Sequence, residues 1–421
     1  MKSPIWQLTW RSLLNRRLTA LLTVISVALA VALLLGVERL RHDARAGFAS
    51  TISGTDLVVG ARGGSVQLLL YSVFHIGNAT NNVSWPSIER IAALPDVDWL
   101  VPLSLGDSHR GFRVVGTTAG FFEHYRHGRG QALRFADGQP FGGLFEAVVG
   151  AEVAARFGYR VGQRIVVSHG AGGTGFAEHD DKPFTIVGVL ERSGTPVDRS
   201  VLVSLEGIEA IHVDWVGGAR LPGVNIAAEH VRKFDLSPKS ATAALVGLKS
   251  RVAVFRVQRQ INNWSEEPLT AVLPGATLQE LWNVVAVAER ALLAVSALVV
   301  AVGLAGLVAV VIASLGERRR ELAILRSLGA SPGQVFRLLA LESLLLSLAG
   351  CILGILLLSA TVAAVGPWLE SAHGLPLSAD WPSLAEWRLL GAVLGAALLA
   401  SLVPAWRAYR HSLADGMTIR I

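Results

Sequence analysis

The stretch GERRRELAILRSLGASPGQVFRLLALES, residues 316–343, places a dense group of basic side chains between two long apolar runs. Residues 318–320 are three adjacent arginines, and Arg326 and Arg337 follow them. Arginines beside membrane-length segments are typical of the cytoplasmic ends of transmembrane helices, because positive charge is retained on that side. The stretch therefore predicts a short cytoplasmic connection between two transmembrane helices.

The composition of the whole chain is that of a membrane protein. Of its 421 residues, 52% are hydrophobic and 17% are charged, which is too apolar a balance for an ordinary soluble enzyme. The sequence pI of about 9.9 is explained by arginines near anionic lipid headgroups, so we expect no nucleic-acid partner. Four segments have the length of about 18 residues or more that crosses a bilayer with little or no charge: residues 18–37, 291–315, 338–366 and 389–406.

The basic residues around these segments predict their orientation. The first segment follows basic residues as a signal peptide does, but its 20 residues and its lack of a small-residue cleavage site indicate a retained anchor. Basic residues cluster before the first segment, between the second and third, and after the fourth, which predicts cytoplasmic termini and a cytoplasmic connection at residues 316–337. Arg39, Arg41 and Arg45 conflict with this pattern, because they flank the outer end of the first segment.

Residues 38–290 separate the first two segments and have a globular composition rich in glycine and proline. Residues 84–105 predict a helix capped by Ser84 and then a strand, and residues 146–168 predict a strand, a helix ended by Gly158 and a further strand. We therefore expect a mixed domain with two lobes. The predicted fold class is an α-helical membrane protein with four transmembrane helices plus a large α+β extracytoplasmic domain between helices 1 and 2.

The second apolar segment is predicted to begin well outside the membrane. Thr277 and Glu280 fit a capping box at a helix start, and no proline interrupts the chain from there to residue 315. Such a helix is about 58 Å long, roughly twice the hydrocarbon thickness. We therefore expect rigid stalks on helices 1 and 2, and a break near residues 289–290 is the alternative.

These patterns divide the chain into segments that alternate between the two sides of a membrane. In chain order they are a cytoplasmic amphipathic helix (1–17), helix 1 with its stalk (18–53), the extracytoplasmic domain (54–276), the second stalk with helix 2 (277–315), the cytoplasmic coupling segment (316–337), helix 3 (338–366), a short external loop (367–388), helix 4 (389–406) and a cytoplasmic tail (407–421).

The cytoplasmic segment itself predicts a short helix, a tight turn and the start of helix 3. Ile324, Leu325 and Leu328 share one helical face, and Gly329 is suited to end that helix in the left-handed conformation. The sequence SPGQ at residues 331–334 then supplies a cap, a proline at the first helical position and a glutamine at the third. The apolar face either rests on lipid or docks on a cytoplasmic partner.

The order of these motifs is similar to that of a known family. An arginine-rich helix, LRSLGASPGQVFRLLALES, an apolar span and a closing PAWRAYRHSLADG resemble the MacB/FtsX-type permeases of ABC transporters. The opening TWRSLLNRRLTALLTVISVALAVALLLGV resembles the first span of that family. The resemblance covers residues 1–37 and 277–417 well, and it implies a homodimeric or heterodimeric permease that works with a separate ATPase.

The resemblance further implies that residues 317–330 form the coupling helix that docks in a groove of the ATPase. The residues expected there are Glu317, Arg320, Glu321, Leu322, Ile324, Leu325, Arg326, Leu328, Gly329 and Ala330. A phosphate-binding loop requires a Gly-Lys pair, and the sequence contains none. We therefore expect ATP hydrolysis in a separate subunit, and no cofactor and no catalytic site in this chain.

Nine of the eleven histidines lie between helices 1 and 2. The close groupings are His124 with His127, and His179 within the EHDD sequence at residues 178–181. Histidine together with carboxylates binds zinc, but no HExxH motif or paired-histidine pattern accompanies them. Scattered surface histidines are the competing interpretation. His124, His127 and His179 are therefore candidate ligands without an assigned metal.

The predicted function is transmission of ATP-driven motion to an extracytoplasmic domain. That domain would handle a lipoprotein, a peptide, a small molecule or a metal-linked carrier. The alternative is an FtsX-like regulator of a periplasmic partner such as a cell-wall hydrolase. Expected partners are the ABC ATPase, a second permease copy, a periplasmic adaptor, carrier or lipoprotein, and the lipid of a bacterial inner membrane.

Overall fold

Four helices in this chain are much longer than the rest. The structure is a computed structural model that describes residues 16–170, 178–216, 219–221, 226–317, 324, 327, 329–373, 377 and 380–410. The helices of this part are α1 (Arg17–Thr51), α2 (Ser65–Ser72), α3 (Trp85–Ala92), α4 (Gly120–His124), α5 (Ala151–Phe157), α6 (Leu205–His212), α7 (Val254–Asn262), α8 (Pro274–Glu317), α9 (Pro332–His373) and α10 (Leu384–Arg410). The predicted amphipathic helix of residues 1–17 and the predicted tail lie almost entirely outside the described residues.

The long helices α1, α8, α9 and α10 carry the four segments predicted to cross a membrane. Each helix contains a stretch that is long and apolar enough to cross a membrane. Between 28% and 39% of the residues in each stretch are buried within the chain. Most residues in these stretches are therefore not buried within the chain, as is expected where lipid or another subunit surrounds them. Contacts divide the chain into two units. One is formed by most of these four helices, and the other is chiefly Ala44–Val285, which includes the end of α1 and the start of α8 and which we call the interhelix domain.

The helix α8 starts earlier than the sequence predicts. It runs unbroken for 44 residues, so the alternative break at residues 289–290 is not formed. The backbone N–H of Thr277 donates to the carbonyl oxygen of Leu273 at 3.0 Å and is therefore already inside the helix. The predicted capping box of Thr277 and Glu280 is wrong, because Pro274 takes the first helical position, where its missing N–H costs no hydrogen bond.

The turn between α8 and α9 has the chemistry that the sequence predicts. Gly329 has a positive φ of 95°. The backbone N–H of Ser331 donates to Gln334 Oε1 at 2.8 Å, and the backbone N–H of Gln334 lies 3.3 Å from Ser331 Oγ. These two bonds form a reciprocal capping box. Pro332 is the first residue of α9, so the predicted helix start is confirmed.

Two glycines, one turn apart, allow α9 to pack closely on α1. A Cβ atom on Gly350 would lie 2.6 Å from Val27 Cγ1, and one on Gly354 would lie 2.9 Å from the carbonyl oxygen of Ala28. Only glycine fits such an approach, which small residues commonly provide in membrane helices. A Cβ atom on Gly391 of α10 would meet no atom within 4 Å in the described part of the chain.

The arginines that conflicted with the predicted orientation have charged or aromatic partners. Arg39 Nε lies 3.0 Å from Glu386 Oε1, and the two side chains are only 6% and 3% exposed. Arg41 Nη2 lies 2.6 Å from Glu38 Oε1 on the same helix. The guanidinium of Arg45 lies over the ring of Trp282, and both residues belong to the interhelix domain. Pairing reduces the positive charge that these residues present, and so it reduces the conflict with the pattern of arginines elsewhere.

The interhelix domain is built on strands from seventeen short stretches of the described chain. In chain order they are β1 (Leu57–Ala61), β2 (Val83–Ser84), β3 (Val97–His109), β4 (Phe112–Thr117), β5 (Arg126–His127), β6 (Gln131–Ala132), β7 (Phe135–Gly138), β8 (Glu146–Val149), β9 (Arg164–Ile165), β10 (Ser168–His169), β11 (Phe184–Leu190), β12 (Ser200–Ser204), β13 (Trp215–Val216), β14 (Ala219–Arg220), β15 (Ser240–Ala241), β16 (Ala243–Leu248) and β17 (Leu269–Val272).

Eleven of these strands form one sheet. Its order is β17-β1-β16-β3-β4-β12-β8-β11-β7, with β10 paired to β3 and β9 paired to β11. The pairs β12–β4 and β11–β8 are parallel, and the other pairs are antiparallel. The 13-residue strand β3 pairs with β16 along its first half and with β4 and β10 along its second. These eleven strands form one continuous sheet within a single compact unit, and the predicted division into two lobes stays a prediction.

Local sequence signals position the helices that cover this sheet. Ser84 takes the N-cap position of α3 with Pro86 in the first turn, but its hydroxyl makes no cap hydrogen bond and donates to Glu267 Oε2 instead. Gly158 ends α5 in the left-handed conformation with φ 66°, as predicted. The helices α5 and α6 pack through residues such as Val153 and Ile211 on the core that also holds strands β8, β11 and β12. Because α6 is held against the sheet in this way, its last residue lies at the edge of that core.

Candidate functional sites: the coupling segment and a histidine cluster

Part of the predicted coupling segment falls within the described residues. Glu317 is the last residue of α8, and Gly329 and Ala330 form the turn before α9. Ile324 is helical, and its side chain is 58% exposed. The other predicted coupling residues lie outside the described residues: Arg320, Glu321, Leu322, Leu325, Arg326 and Leu328.

The structure does not gather His124 and His127 into a cluster of metal-binding side chains. His124 stacks on Trp99 with ring centroids 4.8 Å apart, and its Nε2 lies 4.0 Å from a Glu123 carboxylate oxygen. His127 lies in the two-residue strand β5, which pairs with β6. Among the described residues, the one group able to hold a metal ion contains neither histidine. Sequence proximity alone therefore did not identify ligands here.

His179, the third candidate, lies in that group together with Asp107, His169 and His212. One ligand atom from each of the four side chains lies within 4.8 Å of the others. His169 Nδ1 is 3.1 Å from both Asp107 Oδ1 and His212 Nε2, and His212 Nε2 is 3.7 Å from the same carboxylate oxygen. We call these four residues the histidine cluster.

Strand pairing explains why two members of the cluster meet. The strand β10 pairs with β3 so that His169 lies directly opposite Asp107. Asp107 itself lies where the pairing of β3 with β4 shifts register, between Leu105 and Ser108. An irregularity of this kind redirects a side chain from the normal alternation of a strand. His179 follows β10 along the chain after the glycine-rich residues 171–177, which lie outside the described residues.

The environments of the histidines differ strongly. His179 is fully buried, and burial lowers the pKa of its ring to about 4, with a further decrease from the nearby His212. Its ring is therefore neutral near neutral pH. His169 is partly exposed, and its hydrogen bond to Asp107 raises the pKa of the ring above its ordinary value.

A polar cleft of about 380 Å³ is lined by the chain neighbours of the cluster. Ser108, Ser168 and Glu178 line it, and they directly follow or precede members of the cluster in the sequence. The histidine of this cleft, His109, has partners on both ring nitrogens: Nδ1 lies 2.6 Å from a backbone carbonyl oxygen, and Nε2 lies 2.8 Å from the Tyr159 hydroxyl. His109 is thus held by ordinary hydrogen bonds and is not a member of the cluster.

Two protein families match the sequence of this chain. Residues 19–263 match the MacB-like periplasmic core domain, and residues 293–413 match the C-terminal FtsX-like permease family. The chain belongs to the MacB/FtsX-type permeases of ABC transporters. The permease is accordingly a multi-pass membrane protein with a large extracytoplasmic domain between its first two membrane helices, and the resemblance found in its motifs is confirmed.

Curated relatives of the permease support the same assignment. It is 27% identical over 284 residues to the macrolide export ATP-binding/permease protein MacB of Bordetella avium. This match covers 64% of this chain and 39% of that protein. It is 23% identical over 296 residues to the lipoprotein-releasing system transmembrane protein LolC of Xylella fastidiosa. This match covers 65% of each of the two chains. A third relative is the uncharacterized ABC transporter permease YknZ of Bacillus subtilis, at 35% identity over 102 residues and 24% and 22% coverage. The permease thus spans less than two thirds of the length of each relative.

Two solved structures show a weak likeness to the permease. One is the periplasmic region of MacB from Actinobacillus actinomycetemcomitans, with a TM-score of 0.33, 10% identity, and coverage of 55% of this chain and 95% of that one. The other is the extracellular domain of the transporter YknZ from Gram-positive bacteria, with a TM-score of 0.31, 12% identity, and coverage of 52% and 98%. These scores are too low to support an argument, and the family assignment rests on the sequence matches.

Proposed function

We propose that this permease transmits ATP-driven motion from a separate cytoplasmic ATPase to its extracytoplasmic domain, which handles a cargo. The observation that carries the proposal is the unbroken helix α8, which has 44 residues. At 1.5 Å per residue this helix is about 66 Å long, roughly twice the hydrocarbon thickness. A continuous helix is stiff, so a displacement applied at one end reaches the other.

The contact with the ATPase is proposed to lie just after α8. Ile324, Leu325 and Leu328 would insert into a groove of the ATPase, and the charged residues of the segment would pair at its rim. The 58% exposure of Ile324 supports this assignment, because an apolar side chain on a structured segment gains free energy when a partner covers it. The turn at Gly329 and the capping box at residues 331–334 fix the end of the segment relative to α9.

The proposal extends to the cargo and the assembly. The names of two relatives describe export and lipoprotein release, which supports a lipoprotein, peptide, small molecule or carrier as cargo. We include in the proposal a second permease copy, a periplasmic adaptor or carrier, and location in a bacterial inner membrane. ATP hydrolysis is assigned to the partner, and no catalytic role is assigned to the permease.

The coupling assignment is tested by changing its apolar face. Leu325→Asp and Leu328→Asp should each reduce the amount of ABC ATPase that co-purifies with the tagged permease in detergent, and the ATP hydrolysis of the complex. Loss of a buried anchor costs more than about 1–2 kcal/mol, which is a factor of about ten in affinity. Arg318→Ala is the matched control in the same segment, and a rim charge of this kind should have little effect.

Normal ATPase recovery with both aspartate variants would overturn the proposal, since it would show that the segment only rests on lipid.

Proteins recovered with the wild-type permease distinguish cargo handling from the alternative role, regulation of a periplasmic partner. Recovery of a lipoprotein, adaptor or carrier supports cargo handling. Recovery of a cell-wall hydrolase without any of these supports the regulatory role instead.

A further inference from the structure

We infer that Asp107, His169, His179 and His212 form a binding site for a divalent transition-metal ion in the interhelix domain, and that zinc fits it best. The sequence motifs did not assign this ligand set, and the names of the matching families and relatives mention no metal ion. The inference is independent of the ATPase and of the cargo, so it stands or falls separately from the proposed function.

The separations within the cluster match tetrahedral coordination. Zinc–nitrogen bonds of about 2.0–2.1 Å place the corners of a tetrahedron about 3.3 Å apart. His169 Nδ1, Asp107 Oδ1 and His212 Nε2 form a triangle with sides of 3.1, 3.1 and 3.7 Å. These atoms therefore outline one face of the tetrahedron. The ligand atom of His179 lies within 4.8 Å of them, and it would supply the fourth corner if its ring moved toward the other three atoms.

His179 provides a second, independent sign of a ligand. Both of its ring nitrogens are buried, and neither has a hydrogen-bond partner among the described residues. A buried polar atom without a partner costs free energy, and in native structures it commonly marks a bound water or ion. Coordination of one nitrogen to a metal ion would offset that cost.

The hydrogen-bonding pattern of the cluster also favours a cation. His212 Nδ1 donates to the carbonyl oxygen of Ile208 at 2.8 Å, so Nε2 of that ring carries a lone pair that points into the cluster. His169 Nδ1 lies 3.1 Å from His212 Nε2 and 3.1 Å from Asp107 Oδ1, and a single N–H cannot donate fully to both. A cation bound by all three groups would satisfy every one of these lone pairs.

The surroundings hold the cluster in position without opposing a positive ion. Trp215 packs on His179 with ring centroids 4.5 Å apart. The fully buried Lys182 lies 2.9 Å from Asp181 Oδ2 and 2.8 Å from Asp214 Oδ1. Asp181 and Asp214 lie close in the chain to His179 and Trp215, so these ion pairs hold the backbone next to the two rings. The two carboxylates also neutralise the positive charge of Lys182.

The ligand set indicates which ions the site selects. Three imidazole nitrogens and one carboxylate suit zinc, and they also suit copper(II) and nickel(II), whereas calcium and magnesium take oxygen ligands. The only cysteine of the chain, Cys351, lies in α9, so no thiolate joins the set. The side chains of His169 and His212 are 37% and 23% exposed, which allows the ion to enter from solvent and to exchange.

The test uses the full-length permease, purified in detergent and treated with a chelator. Titration calorimetry should show saturable binding of one zinc ion per chain, and added Co²⁺ should develop the visible absorption of a tetrahedral complex. Mg²⁺ and Ca²⁺ should produce no binding signal. Absence of saturable zinc binding to the wild-type chain would overturn the inference.

Two variants test the ligand assignment. His179→Gln and His212→Gln should each weaken zinc binding by more than about 100-fold, since loss of outer-shell partners alone costs 10–100-fold. His127→Gln is the matched control, because it changes a histidine of the same domain outside the cluster, and it should bind zinc as the wild type does. Unchanged affinity in both cluster variants would overturn the assignment.

A second measurement keeps the test decisive if a buried substitution impairs folding. X-ray absorption at the zinc edge of the loaded wild-type chain should show imidazole ligands with one oxygen. Zinc should also raise the melting temperature of the wild type and of His127→Gln, but not of His212→Gln, whose ring is partly exposed. A zinc shell without imidazole would overturn the inference.

Discussion

The helical unit and the interhelix domain bury polar side chains in different ways. In the helices, Arg39 and Glu386 are nearly fully buried and face each other at 3.0 Å. In the interhelix domain, Lys182 is matched by two carboxylates, but the fully buried His179 has no hydrogen-bond partner on either ring nitrogen in the part of the chain that the structure describes. Among the described residues Arg39 Nη1 is also buried without a partner, but Arg39 Nε is paired, whereas neither ring nitrogen of His179 is. A buried side chain left entirely without partners calls for an explanation such as a bound water or ion. The comparison thus separates a paired structural charge from a candidate binding site.

The largest effect should come from breaking the charge network beside the histidine cluster. Lys182→Met removes the ammonium group that pairs with the buried carboxylate of Asp214 and the partly exposed carboxylate of Asp181, and we expect the free energy of unfolding to fall by about 3–5 kcal/mol. Denaturant titration of the full chain in detergent, followed by tryptophan fluorescence, measures this loss. Lys233→Met, at an exposed position of the same domain, should change stability by about 0.5 kcal/mol or less. Similar effects of the two substitutions would show that the buried network contributes nothing particular.

A smaller but still large effect should come from the ion pair in the helical unit. Arg39→Met should lower the free energy of unfolding by about 3 kcal/mol, because Glu386 then remains buried without a counter-charge. The double variant Arg39→Met/Glu386→Gln should recover most of that loss, since glutamine is neutral and retains the bond that Glu386 Oε2 accepts from the Ser383 N–H. A double-mutant cycle on unfolding in mixed micelles measures the coupling. Strictly additive single effects would contradict a direct pairing of the two charges.

The smallest of the three effects concerns packing without charge. Gly354→Ala places a methyl group 2.9 Å from the carbonyl oxygen of Ala28, so it should lower stability by about 1–3 kcal/mol. Gly391→Ala is the matched control, because its methyl group meets no atom within 4 Å in the described residues and alanine favours helix by up to about 1 kcal/mol. Thermal melting in detergent should therefore fall for the first variant and stay level or rise for the second. A fall of equal size in both would contradict the close approach of α9 to α1.

Sequence reasoning succeeded where the signal is local. The left-handed Gly329 and the capping box at residues 331–334 are formed as predicted, because turn and cap chemistry involve only a few neighbouring residues. It was wrong at Thr277, where a proline three residues earlier begins the helix. At residues 178–181 it named His179 as a candidate ligand, but it had no signal that the carboxylate beside this ring is Asp107, while Asp181 pairs with Lys182.

By itself, the sequence determined the four membrane-length helices, the turn between α8 and α9 and the family of this permease. Each of these depends on apolar length or on motifs of adjacent residues, which are visible without knowledge of distant contacts. Only the tertiary structure decided the histidine cluster. Asp107 and His169 meet because β10 pairs with β3 at an irregularity of the ladder, and His212 arrives on a helix packed against the same sheet. Residues so far apart in the chain become ligands of one site only when strand register and helix packing bring their side chains to one point.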